Sequence, residues 1–244
     1  MIWLDSVLAI PIIGIRLRNN YKAAIGFESR VMTFADTLYQ SDGDLTVEQK
    51  GPWSYKINSK EYTFHINMND LVIKFAYLMS DNRRAGGFPV IEKPEVRLYT
   101  EIMRDLIKHL GNLLSVFSKN ESLCYNRVGI MAESNLDEDS LPPGVIRYIE
   151  HTGSPWQNSL VKVKSNVLSK LDSEEGYYDQ CHHIVEFEKE KIEEKGYRIA
   201  LDWQRNYKEA RRATQKETIT DVIECKEKAF EYFDKFGEGN LNYE

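Results

Sequence analysis

The sequence predicts an α+β fold, a mostly antiparallel sheet or sheets with helices packed on one face. Three observations carry this. Period-two alternation of apolar residues recurs along the chain, and apolar stripes at three- and four-residue spacing interrupt it. A strand-then-helix unit closes the chain: Arg198–Trp203 reads as a half-buried strand, and Glu217–Phe236 as an amphipathic helix ended by Gly237. A helix-and-strand pair of similar size sits mid-chain, at Tyr99–Phe117 and Tyr125–Met131.

In chain order, Ile13, Ile15 and Leu17 share one face of a strand beginning near Ile12. Lys22–Tyr39 follows as a helix, with Phe27, Val31, Phe34, Ala35 and Leu38 on one stripe. Trp53, Tyr55 and Ile57, then Tyr62, Phe64 and Ile66, alternate with polar residues, and Leu71–Met79 is a longer apolar strand. Short turns join them into a three-strand meander. Ser80–Pro94 reads as a loop. The central helix buries Ile102, Leu106, Leu110, Leu113, Leu114 and Phe117 and turns Glu101, Arg104, Asp105, Lys108, His109 and Asn112 to water. After the acidic stretch with Pro142-Pro143, Val145–Glu150 is compatible with a strand, and Asn158–Leu171 fits a helix or a strand. His182–Lys191 and Tyr197–Gln204 form a hairpin about the charged turn Ile192–Gly196. The last helix places Ile219, Val222, Ile223, Phe230 and Phe233 on one stripe, with Thr218 and Asp221 at its cap and Lys235 in its final turn.

The order of elements repeats weakly, as a two-fold internal repeat without residue identity. It divides the chain into an N-terminal α+β half, residues 1–139, and a C-terminal α+β half, residues 140–244, unless the two form one continuous domain.

The ordered pattern resembles a sporadically distributed, functionally uncharacterised bacterial family of α+β proteins of about 250 residues. Three stretches carry the resemblance: Pro11–Leu38; the meander and central helix leading into Tyr125-Asn126-Arg127-Val128-Gly129-Ile130; and Ala200-Leu201-Asp202-Trp203 with the closing helix and its Phe230 and Phe233. The family carries no established activity and no agreed catalytic residues, so no site follows from it. It implies a role beside a partner protein, of the kind encoded in mobile or antiviral-defence gene neighbourhoods. Val145–Gly176 departs from its pattern.

Composition narrows the classes. The chain has 244 residues, 42% hydrophobic and 29% charged, which fits a folded protein with a sizeable core. A net charge of -6 excludes a whole-domain basic field for nucleic acid and leaves local basic patches. Cys124, Cys181 and Cys225 are far apart, without CxxC or CxxH spacing. They imply neither a disulfide framework nor a zinc module, and each reads as a small buried apolar residue in a cytoplasmic protein. No apolar run reaches the roughly 18 residues of a membrane span.

Candidate chemistry is sparse. Cys181-His182-His183 with Glu186 and Glu188 is the densest cluster of metal-ligand types. Alternation puts His182, Glu186 and Glu188 on one side and Cys181 and His183 on the other, so this strand supplies half a metal site, to which Asp202 on the neighbouring strand adds one more ligand. A charged hairpin edge is the plainer explanation of the cluster. Asp202 reads as a buried acid or, with Ile199, Leu201 and Trp203 inward, as an outward residue in normal alternation. The planar fork of Arg127 suits a carboxylate or phosphate, or an ion pair across the sheet. Arg83 and Arg84, in a glycine-containing loop ending in Phe88, and Arg211 and Arg212, in a mixed-charge lead-in to the last helix, suit a nucleic-acid backbone or plain solvation. No serine-nucleophile motif, H-E-x-x-H or phosphate-loop spacing occurs, and no cofactor is implied. The expectation is a non-enzymatic binding or accessory subunit of a prokaryotic cytoplasmic complex with a partner protein and no membrane. The alternatives are a nucleic-acid-associated protein, by its basic loops or through its partner, and a metal-dependent hydrolase.

Overall fold

Alternation in Ala9–Leu17 (β1) buries Ala9, Ile13 and Ile15 on one face, and the same rule shapes the whole chain. The computed structural model describes residues 2–18, 25–77, 80–82, 90–92, 96–118, 122–152, 162–191 and 194–240. After β1 come α1 (Phe27–Asp42), β2 (Thr46–Gly51), β3 (Ser54–Asn58), β4 (Tyr62–Asn67), β5 (Asp70–Phe75) and a short hairpin, β6 (Ser80–Asn82) with β7 (Val90–Glu92). Then follow α2 (Tyr99–Ser118), β8 (Leu123–Asp137), α3 (Pro143–Thr152), β9 (Lys162–Ser173), β10 (Tyr177–Lys191), β11 (Glu194–Ala213) and α4 (Gln215–Glu238). The α+β class is confirmed: one nine-stranded sheet, in the order β2-β3-β4-β5-β1-β8-β11-β10-β9, is antiparallel at every ladder.

The topology repeats. β1 opens one half, α1 crosses to the sheet edge, and the β2–β5 meander returns to pair with β1. β8, α3 and the β9–β11 meander do the same on the other side, and β1 pairs with β8 at the centre.

All four described helices lie on one face. α2 packs on β1 and β5, and α4 on β8 and β11; α2 and α4 also touch each other. The phenyl ring of Phe34 in α1 meets Phe64 of β4 edge-on at 5.1 Å, and Tyr148 of α3 hydrogen-bonds Ser165 of β9 at 2.7 Å. The stripes anticipated for α1 and α2 are buried in full, each large side chain contributing about 1.5–3 kcal/mol. α4 starts with a capping box, Thr214 and Glu217 bonding reciprocally, and ends at Gly239 in the left-handed conformation, φ 74°.

Several expectations are corrected. The meander has four strands, because Thr46–Gly51 pairs with β3. Val145–Glu150 belongs to a helix, begun by Pro143 in the first helical position. The described part of Asn158–Leu171, from Lys162 onward, is strand; residues 158–161 lie outside the described residues, as do 22–24 of the first expected helix, 78–79 of the fifth strand and 192–193 of the hairpin turn. Ser80–Pro94 contains the β6–β7 ladder. Lys208–Ala213 continues β11 and is not a helix lead-in. Gly237 lies inside α4, against the indole of Trp3, and the cap is Thr214, not Thr218. His109 faces Tyr62, ring centroids 4.4 Å apart. Cys181 and Cys225 are buried, whereas Cys124 is half-buried.

Candidate functional site

The sheet face opposite the helices carries mostly half-buried and exposed side chains, and strand register arranges them in rows. The middle row runs Val72, Gly14, Gly129, Gln204, Gln180, from β5 to β10. On one side of it lies the row Ile12, Met131, Asp202, His182, Leu168. On the other lies Asp70, Arg16, Arg127, Asn206, Tyr178. Two facing glycines therefore floor a trough at the centre of the sheet. Its sides are apolar towards Ile12, Val72 and Met131 and cationic towards Arg16 and Arg127, and it encloses about 150 Å³.

Three irregularities meet at Arg127. The β1–β8 ladder shifts register between Arg16 and Leu17, leaving Asn126 as an extra residue on β8. The β8–β11 ladder shifts between Asn206 and Arg211, where four residues of β11 stand against one of β8. Bulges of this kind re-aim side chains and cluster at binding sites. Asn126 Oδ1 and Asn206 Nδ2 are buried there without a hydrogen-bond partner. Finally, Arg16 and Arg127 stand directly opposite each other, a like-charge pairing that destabilises a sheet. Arg16 is paired with Asp70 at 3.0 Å. Arg127 makes one long hydrogen bond, 3.5 Å to Gln204 Oε1, and no salt bridge among the described residues. Burial and the neighbouring Arg16 both lower its pKa.

Asp202 faces this side, as alternation required. Its carboxylate accepts from Gln204 Nε2 at 2.6 Å, and burial raises its pKa above the ordinary carboxylate value. Alternation also puts Arg18 and Arg212 on this face, either side of Cys124, so four arginines gather at one end of it. Arg211 points the other way, to Asp221 of α4 at 2.5 Å. Arg83 and Arg84 lie outside the described residues.

The residues expected at a metal site do not converge. His182 and Asp202 are cross-strand neighbours on the open face, while His183 pairs with Leu201 on the helix face, fully buried. No group of three or more His, Cys, Asp or Glu residues suited to a metal occurs among the described residues. His183 instead belongs to an aromatic cluster with Tyr148, Tyr232 and Phe236, its Nε2 bonded to the Tyr232 hydroxyl at 2.7 Å and its Nδ1 buried without a partner. Burial pushes its pKa down to about 4. Stability gained from keeping this imidazole neutral is complete above about pH 6.5 and is lost as the pH falls towards 4, a total of about 3 kcal/mol. Urea unfolding across that range is expected to show this slope in the wild type and a flatter one in His183→Gln. Equal slopes would remove the assignment.

A second polar cluster, unannounced by the sequence, lies on the helix face. Arg205 grips Asp179 through two bonds of 2.9 Å and stacks 3.9 Å over the Tyr177 ring. Asp221 accepts from Tyr125, from Tyr207 at 3.3 Å and from Arg211. Burial and the Asp221 charge raise the Tyr125 and Tyr207 hydroxyls, and burial pushes the Cys225 thiol up to about 12. A cavity of about 450 Å³ opens beside Arg211, Lys216 and Asp221. Arg205, Arg211, Asp179 and Asp221 all satisfy one another, which fits a structural clasp between β11 and α4 better than a ligand site.

No protein-family model matches the chain, and no curated protein matches it at a significant level. Among the described residues, no helix is long and apolar enough to cross a membrane.

Proposed function

We propose that the chain is a non-enzymatic binding subunit that docks a partner protein on the open face of its sheet. The observation that carries this is the one-sided layering: every described helix covers one face, while the opposite face presents Ile12, Val72, Met131, Ile184 and the exposed Leu168 among charged rows. A patch that mixes apolar and charged side chains on a rigid sheet is the composition of a protein interface. Salt bridges already tie down much of the surround, from Lys74–Glu133 at 2.9 Å to Arg198–Glu186 at 3.1 Å, so docking there needs little side-chain ordering. The role beside a partner protein that the sequence resemblance implies points the same way. The gathering of Arg16, Arg18, Arg127 and Arg212 favours an anionic surface on that partner and keeps nucleic acid as the second reading.

Affinity capture from the native host tests both. Leu168→Asp with Ile184→Asp is expected to retain at least about tenfold less partner than wild type. Ile223→Asp, on the exposed side of α4, is expected to retain it in full. Equal loss in both variants would defeat the docking face, and captured nucleic acid released steeply by salt would favour the second reading.

A further inference from the structure

Resting on that reading of the open face, we propose that the Gly14–Gly129 trough is a carboxylate subsite, filled by a glutamate side chain of the docked polypeptide with Arg127 holding its carboxylate. The trough is open space. A Cβ built on Gly129 would meet nothing closer than 4.0 Å, and on Gly14 nothing closer than the 3.4 Å contact with Val72. Internal packing therefore does not demand glycine at Gly129; both backbones are extended and neither has a positive φ. What two glycines at facing positions do is leave room above the sheet between an apolar wall and one formed by Arg127 and the Arg16–Asp70 ion pair.

The walls select the occupant. Arg127 lines the trough, makes one hydrogen bond of 3.5 Å and has donors to spare. An anion held by Arg127 in the trough relieves the direct opposition of Arg16 and Arg127. Ile12, Val72 and Met131 supply apolar surface for a methylene stem, which a glutamate has and an inorganic anion lacks. Asp202 stands on the rim, so a doubly charged phosphate meets repulsion there. A singly charged carboxylate meets less.

Glutarate titrated into the full-length ¹⁵N-labelled chain is the test, read at the Arg127 Nε–Hε and the Gly14 and Gly129 amide resonances. Saturable shifts at all three are expected, with affinity at least about tenfold weaker in Arg127→Gln and in Gly129→Val. Unchanged thermal unfolding of both variants shows that they fold. Arg127→Lys, which keeps the charge and loses the planar fork, is expected to bind between wild type and Arg127→Gln. Absence of saturable shifts, or tighter binding of methyl phosphate than of glutarate, overturns the assignment. Partner capture that survives Arg127→Gln removes the subsite and leaves the docking face standing. Glutarate binding that persists in the Leu168→Asp, Ile184→Asp variant after its partner is lost supports both.

Discussion

Asp179→Ala is expected to destabilise the protein by about 3–5 kcal/mol, because it breaks a buried ion pair from one side. The Asp179 and Arg205 side chains are 2% and 5% exposed and share two parallel hydrogen bonds. Removing the carboxylate leaves a guanidinium that cannot deprotonate. It is also pinned over Tyr177 at 3.9 Å and cannot swing into water without unstacking. Burial opposes the Arg205 charge and the Asp179 carboxylate offsets it, so the variant keeps the cost and loses the compensation. Against a typical total of about 5–15 kcal/mol, such a loss places the variant near the unfolding threshold. Asp179→Asn keeps an acceptor and is expected to lose about half as much. The double change Asp179→Leu with Arg205→Met removes both charges and is expected to recover most of the loss. Chemical denaturation of the set is the measurement. A single-variant loss under about 1 kcal/mol, or a double variant no better than Asp179→Ala, would show the pair to be dispensable.

That pair also marks how far the sequence could be read. Arg205 shares its parity with Leu201 and Trp203, and Asp179 shares its parity with Cys181 and Val185, so both face inward once the strands are known to reach them. The signal was present, but a strand ended at Gln204 conceals it. Long apolar stripes announced α1 and α2 because helical burial repeats over many residues. β2 gave no such signal: it is a polar edge strand with Glu48, Gln49 and Lys50, exposed on both faces. α3 is too short for its two buried large side chains, Val145 and Tyr148, to fix a period. The trough lay beyond sequence reading for a different reason. Gly14 and Gly129 face each other only through a register between strands more than a hundred residues apart, set by the whole sheet. Arg127 and Asp202 were legible as candidates, and their company was not.

Most of the chain is locally consistent: alternation, stripes, caps and turns agree with the fold. Several of the disagreements collect on one side of one place. Opposed arginines, two register shifts and two unpartnered asparagines occur together at the Arg16–Arg127 end of the open face. The helix face directly beneath them, around Tyr125 and Asp221, is fully bonded. Locally unfavourable features held by a well-made scaffold are where binding functions reside. The bare face therefore has one distinctive spot, and it adjoins the glycine trough.

The glycines themselves separate packing from vacancy, and Gly144→Ala is the second large effect expected. A Cβ at Gly144 would stand 1.5 Å from the carbonyl oxygen of Phe236 and 2.8 Å from the amide nitrogen of Gly239. Both obstacles are backbone, so α3 and the end of α4 must move apart. The separation would break the 2.6 Å bond from Arg147 to the Gly239 carbonyl and loosen the contact of Tyr148 with Phe236. A loss of about 3 kcal/mol or more is expected, at the upper end of overpacking effects because rotamer changes cannot relieve it. Gly237→Ala meets the Trp3 indole at 2.1 Å, a side chain that can withdraw if it gives up its 2.8 Å bond to the Phe233 carbonyl, and is expected to lose less. Gly129→Ala meets nothing within contact distance and, with alanine favoured over glycine in an extended strand, is expected within about 1 kcal/mol of wild type. Denaturation curves for the three variants rank them in that order. A costly Gly129→Ala would mean that the sheet needs that glycine for itself, and a cheap Gly144→Ala would mean that α3 does not seat on α4 as closely as its backbone contact requires.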